Sequence, residues 1–124
     1  MGLDTYASRT AGDVELTDED ERAFEEAAPQ LCGGIVSGSM SSFRGKIYDT
    51  LILEATGYSL YEEWIAPDTV RAMSAKLGAY VPAQLAAISE KTDPRREHGA
   101  AECAELQRFF RICAERGLGL LGWW

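Results

Sequence analysis

The pattern of hydrophobic and polar positions predicts a strand at each end of the chain. From residue 3 to residue 8 the two kinds of side chain alternate, with Asp4, Tyr6 and Ser8 on the more polar face of a short first strand. Residues 118–124 contain only glycine, leucine and tryptophan, which predicts a buried final strand. Strands at both ends with helices between them indicate an α+β domain whose terminal strands are neighbours in one sheet.

Between these strands, apolar residues recur at helical spacing in five segments. The first helix has Thr17 as its predicted N-terminal cap, and acidic residues fill its first turn, where the helix dipole favours negative charge. Gly57 is a good C-terminal cap for the second helix, and Pro67 suits the first turn of the third. The predicted helices cover residues 17–28, 43–56, 67–78 and 82–91, and a last helix starts between residues 94 and 99 and ends at 117.

Two segments are harder to assign. Residues 30–42 are rich in glycine and serine and predict a loop, with short strand pieces at 31–32 and 35–36. Residues 58–65 are ambiguous, because their aromatic residues favour a strand whereas Glu62 and Glu63 do not. We therefore predict a single α+β domain over residues 1–124, with a small, mostly antiparallel sheet packed by four to five helices.

Composition narrows the class of protein. The 124 residues are 46% hydrophobic and 26% charged, which is typical of one globular domain and excludes a disordered or fibrous chain. The N-terminus lacks the pattern of a signal peptide, and the longest apolar runs are far too short to span a membrane. We expect a cytoplasmic protein that does not bind a membrane.

The net charge of −8 is concentrated near the N-terminus. Residues 1–30 hold nine acids and two bases, whereas residues 31–124 hold eleven and ten. The overall sign argues against nucleic acid as a partner, although Arg95 and Arg96 form a local basic spot. The acidic segment is either a solvated helix face or a docking surface for a basic protein partner. The candidate docking residues are Asp18, Glu19, Asp20 and Glu21.

The residues that usually carry catalysis or bind metals are sparse. Cys32, Cys103 and Cys113 are an odd number without close spacing, which argues against a disulfide framework and a zinc site and favours reduced thiols. His98 stands among charged residues and is predicted to be solvated. Since no nucleophile–histidine arrangement is recognisable, we predict no catalytic residue, no metal and no cofactor.

The segment from Met40 to Ile47 has some features of a phosphate-binding loop. It fails the P-loop pattern, because Met40 stands where the first glycine belongs and Ile47 where a hydroxyl is required. A Gly/Ser loop that leads into a helix with nearby cations can still bind an anion. The alternative is a flexible loop with solvated cations. The candidate residues are Ser39, Ser41, Ser42, Arg44 and Lys46.

Two carboxylates are candidates for a functional site. Glu54 lies about 20° around its helix from both Phe43 and Ile47, which predicts a position on or beside the apolar face. Asp4 lies on the polar face of the first strand. A partly buried carboxylate is costly and is typical of functional sites, and two together would suit acid–base chemistry. The alternative for each is an edge position from which the carboxylate reaches water.

Five aromatic residues cluster in two short stretches, residues 58–64 and residues 123–124. Tryptophan and tyrosine are enriched where proteins bind proteins, but they are also ordinary core residues of a small domain. Both interpretations stay open for Tyr58, Tyr61, Trp64, Trp123 and Trp124.

The opening Met-Gly-Leu-Asp-Thr-Tyr resembles the start of small uncharacterised bacterial and phage proteins that begin Met-Gly-Leu-Asp, then one residue, then Tyr. Residues 42–46, 59–65 and 114–120 also resemble segments of actinomycete proteins. These proteins have no assigned activity, so the resemblance implies no catalytic residue. It implies a compact intracellular bacterial protein in which Asp4, Tyr6, Arg44 and Lys46 are positions of interest.

Two functions follow from these features. The first is a non-enzymatic protein-interaction module, immunity-like or regulatory, supported by the small size, the acidic segment and the aromatic residues. The alternative is a small-molecule or anion-binding protein or enzyme. Its pocket would contain Asp4, Tyr6, residues 37–42, Arg44, Lys46 and Glu54.

Overall fold

A computed structural model describes residues 2–12, 16–32, 40–96 and 98–124 of the chain. Its strands are β1 (Asp4–Ser8), β2 (Ser42–Phe43), β3 (Trp64–Ile65) and β4 (Gly119–Trp123). Its helices are α1 (Asp18–Ala27), α2 (Gly45–Thr56), α3 (Pro67–Gly78), α4 (Pro82–Thr92) and α5 (Ala100–Arg116), with a short 3₁₀ helix at Pro94–Arg96. The predicted α+β class is confirmed.

The strands form one antiparallel sheet in the order β2-β1-β4-β3. The N-terminal and C-terminal strands pair along their whole length, from Asp4 opposite Trp123 to Ser8 opposite Gly119. The predicted pairing of the two terminal strands is therefore confirmed. Both strands sit in the middle of the sheet, which fixes the positions of their side chains.

The predicted N-terminal cap of α1 and the predicted glycine ends of α2 and α5 are also confirmed. The Thr17 hydroxyl accepts a hydrogen bond from the Asp20 N–H at 3.2 Å, and the Asp20 carboxylate accepts one from the Thr17 N–H. This reciprocal capping satisfies two donors at the start of α1. Gly57 and Gly117 end α2 and α5 in the left-handed conformation, with φ of 81° and 68°, which favours glycine because other residues meet a steric penalty there.

Two predictions about local structure need correction. Phe43 belongs to β2 rather than to α2, because it pairs with Thr5 of β1. Residues 31–32 form no strand. The Cys32 carbonyl instead accepts a hydrogen bond from the Arg44 N–H, at 2.7 Å. The other predicted strand piece, at 35–36, lies outside the described residues. In the ambiguous segment 58–65, only Trp64 and Ile65 are paired as a strand.

One face of the sheet and the five helices enclose the core, to which each helix contributes buried residues. Phe43 lies at its centre, with its ring 4.9 Å from Phe109 and 5.6 Å from Tyr48. Such edge-to-face contacts add to the stabilisation from burying the rings. The sheet supplies to this core Leu3, Ala7, Phe43, Ile65 and Leu120.

Because side chains alternate along a strand, the neighbouring residues point to the opposite face of the sheet, which we call the outer face. Leu121 is buried there but lies outside the core cluster. The prediction of a fully buried last strand is wrong at its end, where Trp123 is 59% exposed. The outer face carries Asp4, Tyr6, Ser8, Ser42, Trp64, Leu121 and Trp123.

Among the residues that the structure describes, no helix combines the length and the apolar character needed to cross a membrane.

Candidate functional site

Asp4 and Trp123 lie opposite each other on the outer face. Asp4 is only 6% exposed, and its Oδ1 has no hydrogen-bond partner within the described part of the chain. A buried carboxylate oxygen without a donor is costly, whereas the indole beside it is largely exposed to water. The pair therefore places a carboxylate oxygen that has no donor within the described residues beside the exposed aromatic ring of Trp123.

The next strand brings a second carboxylate to Trp123. The Gly122 N–H donates to the Glu63 carbonyl at 3.1 Å, so the pairing of β3 with β4 continues by one residue and brings Glu62 level with Trp123. Glu62 is exposed and lines a cavity of about 330 Å³ together with Trp64. Trp123 thus lies between Asp4 and Glu62 across the sheet.

Trp64 lies across the backbone of β4. A Cβ added to Gly119 would lie 2.8 Å from Cζ2 of the Trp64 indole, so only glycine leaves room for the ring at this position. The indole is therefore held against the sheet, half-buried, and Trp64 lines the same cavity as Glu62.

The remaining aromatic residues extend this surface around the end of the sheet. The rings of Tyr61 and Trp124 meet edge to face at 5.8 Å, and both residues are exposed. Lys76 Nζ lies 5.4 Å from the centre of the exposed Tyr58 ring, within cation–π distance. Four of the five aromatic residues are thus exposed and Trp64 is half-buried, so the interpretation of this set as core is wrong.

A second concentration of polar side chains lies at the start of α2. Three cations lie there: Arg44 and Lys46 flank the first residue of α2, and Arg95 lies in the 3₁₀ helix. They line an open cavity of about 590 Å³, which we call the basic cavity. Its other lining residues are Cys32, Ile47, His98 and Glu102.

The base of this cavity is a hydrogen-bonded network. The Tyr48 hydroxyl donates to Glu102 Oε2 at 2.6 Å and accepts from the Cys32 N–H at 3.1 Å. Burial raises the pKa of the Tyr48 hydroxyl, and the Glu102 carboxylate beside it raises the pKa further, so the hydroxyl stays a donor. The network holds Cys32 against α2 and α5.

His98 belongs to the same network, and the prediction of a solvated histidine is wrong. The residue is buried, and its ring stacks on Tyr48 with centres 4.7 Å apart. Nδ1 lies 3.0 Å from Glu102 Oε1, and Nε2 lies 3.0 Å from the Ile47 carbonyl. Both ring nitrogens therefore face hydrogen-bond acceptors, which fix the orientation of the ring.

Asp20 is not a docking residue. Its carboxylate is fully buried and accepts bonds from Arg9 Nε at 2.6 Å and from Arg116 Nε at 2.7 Å. Burial on its own would raise the pKa of Asp20, but bonds from Arg9, Arg116 and Thr17 lower it to about 2. Asp20 therefore joins β1, α1 and α5 as a structural ion pair. The other predicted docking acids, Asp18, Glu19 and Glu21, are exposed on α1.

The remaining predicted site residues do not form one pocket. Glu54 is exposed rather than partly buried, because its position on α2 falls outside the packed face. Within the described residues no hydrogen bond joins it to Asp4, so the structure contains no acid–base pair of these two carboxylates. Ser41 and Ser42 lie at β2, and Tyr6 lies beside Ser42 on the outer face. Ser39 lies outside the described residues.

All three cysteines are free thiols, but only Cys32 is exposed. Burial raises the pKa of Cys103 to about 11 and raises that of Cys113 as well. These two thiols therefore stay protonated in the core. In the part of the chain that the structure describes, no group of three histidine, cysteine or acidic residues is arranged to hold a metal ion.

The sequence predicted some residues of both sites but not which of them lie together. Arg44 and Lys46 were recognisable from their place before a helix, whereas Arg95 and Glu102 join them only through the packing of α4 and α5 against α2. The contact of Asp4 with Trp123 follows from the alternation of two equally long terminal strands, once these strands are known to pair. The alternation of side chains was therefore a signal in the sequence from which this contact could be predicted.

Comparison with known proteins finds no protein-family model, curated protein or solved structure that matches the chain.

Proposed function

We propose that this protein is a non-enzymatic interaction module that binds a basic segment of another protein on its outer face. The observation that carries this proposal is the pairing of Asp4, a buried carboxylate with one oxygen that no described residue contacts by a hydrogen bond, with the exposed indole of Trp123. An arginine or lysine side chain laid over the indole makes a cation–π contact. Asp4 Oδ1 is buried in the free protein, so a rotation of the Asp4 side chain toward the same cation completes the site with a charge-assisted hydrogen bond.

The charge around Trp123 favours a cationic occupant. Asp4 and Glu62 flank the indole, and Glu63 is exposed on the adjacent segment. The whole chain carries a net charge of −8, so a basic partner is attracted at long range as well as at contact. A negatively charged partner would meet repulsion on this face.

The exposed aromatic residues provide the apolar part of such an interface. Large aromatic side chains account for much of the binding energy in protein interfaces, because they bury a large area at low cost in conformational entropy. Trp123, Trp124 and Tyr61 are uncovered at one end of the sheet. Polar and acidic residues next to them give the surface the aromatic centre and polar rim that are typical of binding sites.

A displayed library of random peptides, selected against the wild-type protein, tests the proposal. We expect enrichment of peptides that contain arginine or lysine. The variants Asp4→Asn and Trp123→Ala should each weaken binding of the selected peptides about tenfold or more, since each loses a charge-assisted or cation–π contact.

Leu53→Ala is the matched control, because Leu53 is an exposed apolar residue on α2 and its loss should leave peptide affinity unchanged. Selection of peptides without basic residues, or equal binding by Trp123→Ala and the wild type, would overturn the proposal. Selection of no peptide at all would overturn it too.

A further inference from the structure

We propose a second site, independent of the outer face: the basic cavity binds a small phosphorylated molecule. Its volume of about 590 Å³ falls within the range of about 300–1,000 Å³ that is usual for small-molecule pockets. Arg44, Lys46 and Arg95 bring three positive charges to its wall. Like charges placed together repel one another, and a bound anion relieves that repulsion.

The arginines are available for a ligand. Within the described residues, neither Arg44 nor Arg95 forms an ion pair with a carboxylate, in contrast to Arg9 and Arg116, which share Asp20. A guanidinium presents a planar set of donors that matches two phosphate oxygens at once. Two such groups in one cavity suit a dianionic phosphate or a diphosphate better than a single carboxylate.

The one acid in the described lining of the cavity is already occupied. Glu102 accepts the Tyr48 hydroxyl on one oxygen and faces His98 Nδ1 with the other. Its charge is therefore directed into the hydrogen-bonded base, where these two donors offset it, and it competes only weakly for the arginines. The cavity thus keeps an excess of positive charge although the chain as a whole is acidic.

The base of the cavity is also preorganised for binding. The Arg44 N–H donates to the Cys32 carbonyl at 2.7 Å, and the Cys32 N–H donates to the Tyr48 hydroxyl at 3.1 Å. The backbone that carries Arg44 is thus tied to α2 before a ligand arrives. A site whose backbone is already ordered loses less entropy on binding.

Isothermal titration calorimetry with inorganic phosphate and with pyrophosphate tests the proposal on the intact protein. We expect both anions to bind, with pyrophosphate tighter because it can contact both arginines. The double variant Arg44→Gln/Arg95→Gln should weaken pyrophosphate binding by about tenfold or more. The control Arg111→Gln removes an exposed arginine of α5 outside the cavity and should change the affinity less than twofold, by the modest effect of distant charges in salt.

Absence of heat with both anions would overturn the proposal. An equal loss of affinity in the double variant and in Arg111→Gln would overturn it as well, since it would indicate general charge attraction. Phosphatidylglycerol vesicles distinguish a lipid headgroup from a free phosphate: binding to vesicles but to neither free anion would overturn the assignment to a small molecule. Circular dichroism of each variant checks that it is folded.

Discussion

Replacement of Asp20 by asparagine should destabilise the protein far more than any other change of charge on α1. Asparagine keeps the shape of the side chain but removes the negative charge that two arginines share. It also turns an amide nitrogen, which is itself a donor, toward one of the guanidinium donors. The fold then retains two cations with no buried anion between them.

The size of the expected loss of stability follows from the structure. Asp20 has a pKa of about 2 in the folded protein rather than its ordinary 3.8, which corresponds to about 2 kcal/mol of stability at neutral pH. Breaking a fully buried ion pair costs about 3–5 kcal/mol, but the side chains of Arg9 and Arg116 are 40% and 28% exposed, so water screens part of the loss. We expect a fall of about 2–3 kcal/mol in the free energy of unfolding, or about 10 °C in Tm.

Urea denaturation followed by circular dichroism measures this loss, and its pH dependence tests the cause. The folded pKa of Asp20 is lowered, so its stabilisation is complete above the unfolded value and disappears as the pH falls through the folded value. The difference between wild type and Asp20→Asn should therefore be full at pH 7 and shrink between pH 3.8 and about pH 2.

Glu19→Gln provides the matched control, since the Glu19 side chain is 82% exposed and its oxygen lies 3.9 Å from Arg116. Its loss should cost less than about 0.5 kcal/mol. If Asp20→Asn were as stable as the wild type at pH 7, or if its deficit did not change down to pH 2, the assigned role of Asp20 would be wrong.

Three further outcomes are expected. Tyr48→Phe should lower the free energy of unfolding by about 1–3 kcal/mol in urea denaturation, because it leaves the buried side of Glu102 and the Cys32 N–H without their partner; an unchanged midpoint would contradict this. Gly119→Ala should destabilise by about 1–3 kcal/mol, because the added methyl collides with Trp64, whereas Gly78→Ala, which meets no atom within 4 Å, should not. Ellman's reagent should modify Cys32 alone in the native protein and all three thiols after unfolding, since the other two are buried; rapid reaction of more than one native thiol would refute that.

Much of the fold could be predicted because local signals and tertiary packing agree. The Thr17 cap, Pro67 and the glycines after α2 and α5 mark helix ends by backbone chemistry that does not depend on distant residues. The alternating side chains of residues 3–8 and the wholly apolar composition of residues 118–124 likewise predict the two terminal strands that pair in the sheet.

The incorrect predictions concern residues whose surroundings are formed by residues distant in the sequence. His98 has polar neighbours in the sequence, yet it packs against Ile47 and Tyr48, which lie about fifty positions earlier. Asp20 looks like one acid in a solvated run, but its partners Arg9 and Arg116 lie 11 and 96 positions away. No local pattern encodes such contacts, and only their burial distinguishes a structural charge from a surface charge.

The stability of Asp4→Asn separates a functional carboxylate from a structural one. Since Asp4 Oδ1 has no donor among the described residues, removal of the charge should leave the free energy of unfolding unchanged or raise it by up to about 1 kcal/mol. A large loss of stability would show that the carboxylate is needed by the fold itself.

The most direct test of the outer face is a double-mutant cycle with a selected arginine-containing peptide. Its arginine is replaced by citrulline, which keeps the shape but not the charge, and both peptides are titrated against wild type and Asp4→Asn. Direct contact between Asp4 and the arginine predicts a coupling energy of about 1–3 kcal/mol. Additive effects, with a coupling energy of zero within error, would contradict recognition of a basic partner by Asp4.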